Sequence, residues 1–155
     1  MLGSKESQPV VLAVSSGGGH WVQMRRLAPA FSGAEVHYAT TDPTAADQVG
    51  TSRLHVYPDA NKDTPFRLIL CVLRLAWILL RLRPQVVVST GAAGGFLAIK
   101  LARLIGARTM FIDSIANVRE LSISARMSLG VADSVLSQWP SVAAQTDAEY
   151  RGAVI

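Results

Sequence analysis

The sequence is short of the residues that mark several familiar classes of protein. It holds one cysteine, Cys71, in 155 residues. No disulfide framework can form within such a chain, so a reducing compartment is the default expectation. Cys71 lies in an apolar helical stretch and reads as a small core residue rather than a nucleophile. No apolar run reaches the roughly 20 residues that span a bilayer. The opening MLGSKESQP is too short and polar for a signal peptide or a membrane anchor. The three histidines show no spacing with cysteine or carboxylate that suggests a metal site, and no cofactor is expected. A serine-nucleophile elbow is missing. A nucleotide P-loop would need Lys-Ser or Lys-Thr after its last glycine, where His20-Trp21 stands. A dinucleotide fingerprint begun at Gly17 and Gly19 fails at Val22. The basic residues are scattered and no aromatic platform accompanies them, which argues against nucleic acid.

What remains is a globular composition tilted toward the apolar side. Half of the residues are apolar, 17% are charged, and the net charge is +4. Mild basicity suits anionic partners such as phosphates or acidic lipid. The length fits one domain with a real core, expected over residues 9–141, after a disordered N-terminal arm over 1–8 and before a weakly patterned tail over 142–155 that is expected to dock a partner. Strands are predicted over residues 10–14, 35–39, 54–57, 85–89, 108–112 and 134–137, and helices over 22–31, 44–49, 65–82, 95–105 and 121–131. Thr64 is placed to cap the long helix and Pro65 suits its first position, while Arg83-Pro84 ends it. Val86-Val87-Val88 is apolar on both faces, the pattern of a parallel sheet covered on two sides. Alternating strands and helices then predict an α/β fold, a single doubly wound Rossmann-like parallel sheet.

In such sheets ligands bind beyond the carboxyl ends of the strands, and two glycine turns fall there. Ser15-Ser16-Gly17-Gly18-Gly19-His20 follows the first strand and Thr90-Gly91-Ala92-Ala93-Gly94-Gly95 the fourth. A glycine turn at a helix N-terminus offers free backbone N–H groups and the positive end of a helix dipole, both suited to a phosphate oxygen. It also reads as the plain strand-to-helix turn that any doubly wound domain needs. His20 would point into the same crevice, as a phosphate donor or general base, or would simply cap the helix. His37 and His55 fall within strands and read as structural.

Three stretches carry a resemblance. Ser16-Gly17-Gly18-Gly19-His20, the run from Phe111 to Ser122 (FIDSIANVRELS), and Val131-Ala132-Asp133 through Ser137-Gln138-Trp139-Pro140 are similar to signatures of the Alg-fourteen-like family of oligosaccharide-biosynthesis proteins. That family includes PssD-type subunits of capsule and exopolysaccharide glycosyltransferases. The resemblance covers roughly residues 9–155. It implies one half of a GT-B glycosyltransferase, the N-terminal, acceptor-side half, with the donor-binding half supplied by a separate protein. The implied reaction moves a sugar from a nucleotide-diphosphate sugar (a UDP-sugar) to a polyprenyl-diphosphate-linked saccharide.

By that resemblance Ser16, Gly17, Gly18, Gly19, His20, Thr90, Gly91, Gly94, Gly95 and Ser114 would hold the acceptor's diphosphate. His20 and Asp113 would be the candidate catalytic groups, although Asp113 also reads as a cap for the segment after it. Trp139, Pro140, Tyr150, Val154 and Ile155 would meet the partner subunit, with Trp139 reading equally as core. The eukaryotic members carry an N-terminal membrane-spanning helix that these residues do not supply. Trp21, after the first turn, is a large ring expected to alter acceptor contacts.

The long helix reads PFRLILCVLRLAWILLRL. Arg67, Arg74 and Arg81 recur every seven residues and share one stripe, while nearly everything else is apolar. The expectation is an interfacial helix at the cytoplasmic membrane face, peripheral rather than spanning, with Arg67, Arg74, Trp77 and Arg81 in contact with lipid. The plain reading is a buried helix with a solvated arginine edge. Two functions therefore compete: the acceptor-binding, membrane-recruiting subunit of a two-component glycosyltransferase, inactive or weakly active alone, and a non-catalytic adaptor that only docks and positions the catalytic partner. A nucleotide-binding regulator is a third reading, disfavoured by the two broken motifs.

Overall fold

A computed structural model describes residues 7–155; the arm expected over 1–8 falls, for its first six residues, outside the described residues. Strands β1 (Val10–Ser15), β2 (Glu35–Thr40), β3 (Arg53–Val56), β4 (Val86–Ser89), β5 (Arg108–Ile112), β6 (Ser134–Ser137) and β7 (Glu149–Tyr150) form one sheet in the order β3-β2-β1-β4-β5-β6-β7. Every pairing is parallel. The helices are α1 (Gly19–Arg26), α2 (Pro65–Leu82), α3 (Ala92–Leu104), α4 (Ile123–Ser128) and α5 (Pro140–Ala143). The doubly wound fold anticipated from the apolar strands is the observed one.

Side chains alternate across the sheet as period two requires. Leu12, Val14, Val87 and Phe111 face α2 and α3, and Val11, Ala13, Val88 and Ile112 face Trp21 and Met24 of α1. Leu75, Ile78 and Leu79 anchor α2 and are fully buried. Truncating one such leucine to alanine costs about 2–5 kcal/mol. Trp21 lies in the core, edge-on to Tyr38 at 5.6 Å, with its indole N–H donated to Gln48 Oε1 at 2.8 Å. It is therefore turned away from the glycine turn rather than toward an acceptor.

Several boundaries differ from the sequence reading. Pro29 interrupts the first helical region, so α1 stops at Arg26 and a 3₁₀ turn over Ala28–Phe31 follows. The segment after Asp42 is also 3₁₀. Thr64 does not cap α2 with its side chain: its hydroxyl donates to the Asn61 carbonyl at 3.2 Å instead. At the other end Arg83 adopts φ 46° and donates its N–H to Leu79 O at 2.8 Å, with Pro84 stopping the helix. The second glycine turn opens α3 three residues earlier than expected, at Ala92. The tail adds α5 and a seventh strand to a sheet expected to have six.

Candidate functional site

The strand order reverses between β1 and β4, and both glycine turns spring from the carboxyl ends of those two neighbours. That is the crevice where doubly wound sheets hold ligands. The turns are tied to each other. Thr90 donates its hydroxyl to His20 O at 2.8 Å, and His20 Nδ1 lies 2.9 Å from Thr90 O. A carbonyl only accepts, so Nδ1 carries the ring proton and the neutral imidazole leaves Nε2 with a free lone pair. Among the described residues Nε2 has no hydrogen-bond partner.

The two turns are not alike in space. At the first, Gly18 takes φ 66°, and neither Gly18 nor Gly19 has an atom within 4 Å of where a Cβ would stand. Gly17 N–H is already used, donating to Thr41 Oγ1 at 3.1 Å. The first helical bond is Val22 N to Gly18 O at 3.1 Å, so the N–H groups of Gly18 and Gly19 at the head of α1 lie ahead of it. Ser16 is half-buried beside them. This turn is an open cradle.

The second turn is filled by the protein itself. A Cβ on Gly91, at φ 142°, would come within 2.4 Å of the His20 ring; on Gly94, within 2.5 Å of Tyr57; on Gly95, within 2.0 Å of Ser89 Oγ. These glycines admit close packing of side chains, and that accounts for their presence without a phosphate. Ala92, the first residue of α3, is held at φ 64°, a conformation costing about 1–2 kcal/mol for a residue with a Cβ.

Beside the open cradle lies a cavity of about 520 Å³, lined by Thr41, Tyr57, Asp59, Leu70 and the arginines Arg67 and Arg74. Its wall residues bridge the two turns, since Thr41 binds Gly17 and Tyr57 packs on Gly94. The hydroxyls of Tyr57 and Ser15 are buried with no hydrogen-bond partner among the described residues. Burial, with Cys71 and Asp59 adding to it, raises the Tyr57 phenol well above its ordinary range, so it stays a neutral donor. Sequence reasoning missed Thr41 and Tyr57 and gave Arg67 and Arg74 to lipid alone.

Asp113 is placed differently from a free base. It is 2% exposed. Its carboxylate accepts from Asn117 Nδ2 and from Ser122 N–H, both at 2.9 Å. Its carbonyl accepts from Gln23 Nε2 at 3.2 Å and Gln138 Nε2 at 2.9 Å. The Asp113 carboxylate thus ties the loop after β5 to Asn117 and Ser122, and its main-chain carbonyl ties the same loop to α1 and the end of β6. Ser114, half-buried next to it, accepts from Ala116 N–H at 3.2 Å. Trp139 Nε1 donates to Ile115 O in the same loop at 2.7 Å, and its ring packs on the core. Val154 N–H donates to Gln138 Oε1 at 2.8 Å, while Pro140, Tyr150 and Ile155 are exposed.

On α2, Phe66, Ile69, Leu73, Trp77 and Leu80 are each at least half exposed and follow helical spacing. They form one apolar stripe flanked by Arg67, Arg74 and Arg81. Arg74 and Arg81 lie over the Trp77 ring at 4.8 and 5.9 Å. Among the described residues none of these three arginines pairs with a carboxylate. Among the described residues, too, no helix is long and apolar enough to cross a membrane. Cys71 is buried on the opposite side of α2, its thiol pushed up to about 11 chiefly by that burial.

A family model described as "Oligosaccharide biosynthesis protein Alg14 like" matches residues 59–154. A search of curated proteins finds no match. Among solved structures, the chain is similar to Acinetobacter baumannii MurG, with a TM-score of 0.71 at 18% identity over 86% of this chain and 43% of that one. It is also similar to a UDP-N-acetylglucosamine 2-epimerase from Listeria monocytogenes, with a TM-score of 0.66 at 9% identity over 87% of this chain and 40% of that one. A glycosyltransferase from Rickettsia africae gives 0.61 at 13% identity, over 84% of this chain and 37% of that one. At these identities the likeness is one of fold: the sheet resembles one half of a GT-B enzyme, and the chain spans less than half the length of each of these proteins.

Proposed function

The chain belongs to the Alg14-like family of oligosaccharide biosynthesis proteins, and we propose that it is the acceptor-binding, membrane-recruiting subunit of a two-component glycosyltransferase. The carrying observation is the open Gly18–Gly19 cradle beside the cavity of Thr41, Tyr57, Arg67 and Arg74. A polyprenyl diphosphate has the chemistry for this place. Its oxygens meet backbone N–H groups at a helix head and two arginines. Its chain leaves along the apolar stripe of α2. Arginine beside an apolar helix face suits a membrane surface whose lipids carry phosphate, here the cytoplasmic face.

The donor, a nucleotide-diphosphate sugar, is held by a separate polypeptide that closes over this lobe. Exposed Pro140, Tyr150 and Ile155, with Val154 beside them, offer it a surface, and Trp139 fixes the loop behind. The acceptor hydroxyl attacks the anomeric carbon while His20 Nε2 takes its proton, and the nucleoside diphosphate leaves. Ser16, Ser114 and the filled second turn of Thr90, Gly91, Gly94 and Gly95 position this machinery, and Asp113 holds the loop in place.

The adaptor reading also draws on an observation: both oxygens of the Asp113 carboxylate are engaged within the chain, which leaves His20 as the candidate base among the residues foreseen. Kinetics of the complex co-purified with its donor-binding partner separate the two. On the catalytic reading His20→Gln lowers kcat by about 10²–10⁴ with KM little changed. Full turnover by that variant would leave positioning as this chain's whole contribution.

A further inference from the structure

At the amino ends of β1, β2 and β3, the opposite end of the sheet from the glycine turns, a cavity of about 480 Å³ lies under the last turns of α2. His37 forms its floor and is 3% exposed. His37 Nε2 lies 3.0 Å from Glu35 Oε1, and His37 Nδ1 lies 3.0 Å from His55 Nε2, with the rings stacked at 5.3 Å between centroids. A carboxylate only accepts, so His37 donates from Nε2 and accepts at Nδ1 the hydrogen bond that His55 Nε2–H donates. That order leaves His55 Nδ1 as a lone pair able to gain a proton without breaking the chain of bonds. Arg53, Arg81 and Trp77 line the rim. The groups facing His55 are Glu35 and His37 from β2, Arg53 from its own strand, and Arg74 and Arg81 from α2; β1 contributes Val10. Arg53 and Arg81 have no carboxylate partner among the described residues, and Glu35 is engaged by His37.

We propose that this cavity binds the phosphodiester headgroup of an anionic membrane lipid, held by Arg53, Arg81 and protonated His55, with the acyl chains lying along Leu73, Trp77 and Leu80. The proposal rests on the membrane reading of α2 above and adds a specific seat to it. Charge complementarity selects the ligand: two guanidinium groups and an imidazole that can charge converge beside an apolar stripe, and their one acidic neighbour is already taken. The seat clamps the far end of α2, so the helix lies flat and the glycine cradle at its other end is presented to the bilayer. Burial first, then His37, Arg74 and Arg53, lower the protonation of His55 in the empty cavity. A bound anion opposes that. Binding therefore strengthens as pH falls toward and below the ordinary histidine range.

The test uses the full chain and a lipid whose own charge is constant across the range, phosphatidylglycerol. Titration with soluble dihexanoyl-phosphatidylglycerol is followed by the imidazole NMR resonances at about pH 6 and about pH 8. Sedimentation with phosphatidylcholine vesicles, with and without phosphatidylglycerol, runs in parallel. The expected result is binding that moves the His37 and His55 resonances and weakens several-fold from the lower to the higher pH. It falls roughly tenfold or more in the Arg53→Gln, Arg81→Gln double variant and loses its pH dependence in His55→Gln, which keeps the arginines. Both arginines are exposed, so the double variant is expected to fold, and its melting temperature checks this. If dihexanoyl-phosphatidylglycerol leaves both histidines unmoved, or the double variant binds it as the wild type does, the proposal is overturned, even where vesicles still bind. If the soluble lipid binds as expected and vesicles do not, the headgroup seat stands and the membrane reading of α2 falls.

Discussion

Two glycines one turn apart in role, Gly19 and Gly91, give the sharpest internal control on the site. Gly19 opens α1 with nothing within 4 Å of a Cβ, whereas a Cβ on Gly91 would stand 2.4 Å from the His20 ring on a backbone at φ 142°. Alanine at position 19 therefore meets no steric conflict in the folded protein and removes backbone freedom from the unfolded chain. The expected change is a gain of about 0.4–1 kcal/mol. The same methyl occupies the space a diphosphate oxygen needs to reach the helix head. Losing one charge-assisted hydrogen bond there costs about 1.5–3 kcal/mol, which is roughly a ten- to hundred-fold rise in KM for the lipid acceptor. Alanine at position 91 does the reverse. It strains the backbone by about 1–3 kcal/mol and pushes His20 off Thr90, so melting temperature and kcat fall together. Thermal melts and acceptor titrations of the complex with its donor-binding partner read both. A Gly19→Ala variant with wild-type acceptor KM would refute the cradle as a phosphate site, because its stability already reports that the fold is intact.

Two further outcomes follow from groups away from the cradle. Cys71 is buried on the core side of α2 with its thiol raised to about 11. A thiol reagent at neutral pH is thus expected to leave the native chain unmodified and to label it fully in denaturant; rapid native labelling would mean that α2 does not pack as described. Asp133 is held below the usual carboxylate range, first by the Thr109 backbone N–H, then by the Thr109 hydroxyl and Arg103. A depressed pKa adds stability that is present above the unfolded value near ~4 and lost as pH falls through the folded one. Asp133→Asn should therefore cost up to about 1 kcal/mol at neutral pH, an amount limited by the exposure of the side chain. The difference should shrink as pH falls below the usual carboxylate range in paired melts; a penalty that persists in acid would assign it to packing instead.

The parts of this molecule that sequence reveals are those governed by local chemistry. Val86-Val87-Val88 announced a strand buried on both faces, and Pro65 and Pro84 bracketed α2 to the residue. The first glycine turn was legible as the link from β1 to α1, since three glycines in a row favour a turn over either element. The seventh strand was not, since Glu149–Tyr150 is two polar-edged residues whose only strand signal is the neighbour β6. Thr64 looked like a cap, but Asn61 offered its hydroxyl a nearer partner. The second turn carries the same residue type as the first for a different reason: Gly91 and Gly94 make room for His20 and Tyr57, which lie 71 and 37 positions away in the chain. The cavity wall has the same origin. Thr41 and Tyr57 reach the cradle from the ends of β2 and β3, and only the strand order 3-2-1-4 brings them to it. Asp113 could be read as base or cap, and the bonds its carboxylate accepts from Asn117 and Ser122 are visible only in three dimensions.

The central claim is that this chain is one lobe of a divided enzyme, holding a lipid-linked diphosphate that a second polypeptide must enclose. Its most direct test is sugar transfer from a nucleotide-diphosphate sugar to a polyprenyl-diphosphate acceptor, measured with the purified chain alone and with the donor-binding protein added. The account predicts little or no product from the chain alone and turnover once the partner is present. Turnover at the same rate without any partner would contradict it.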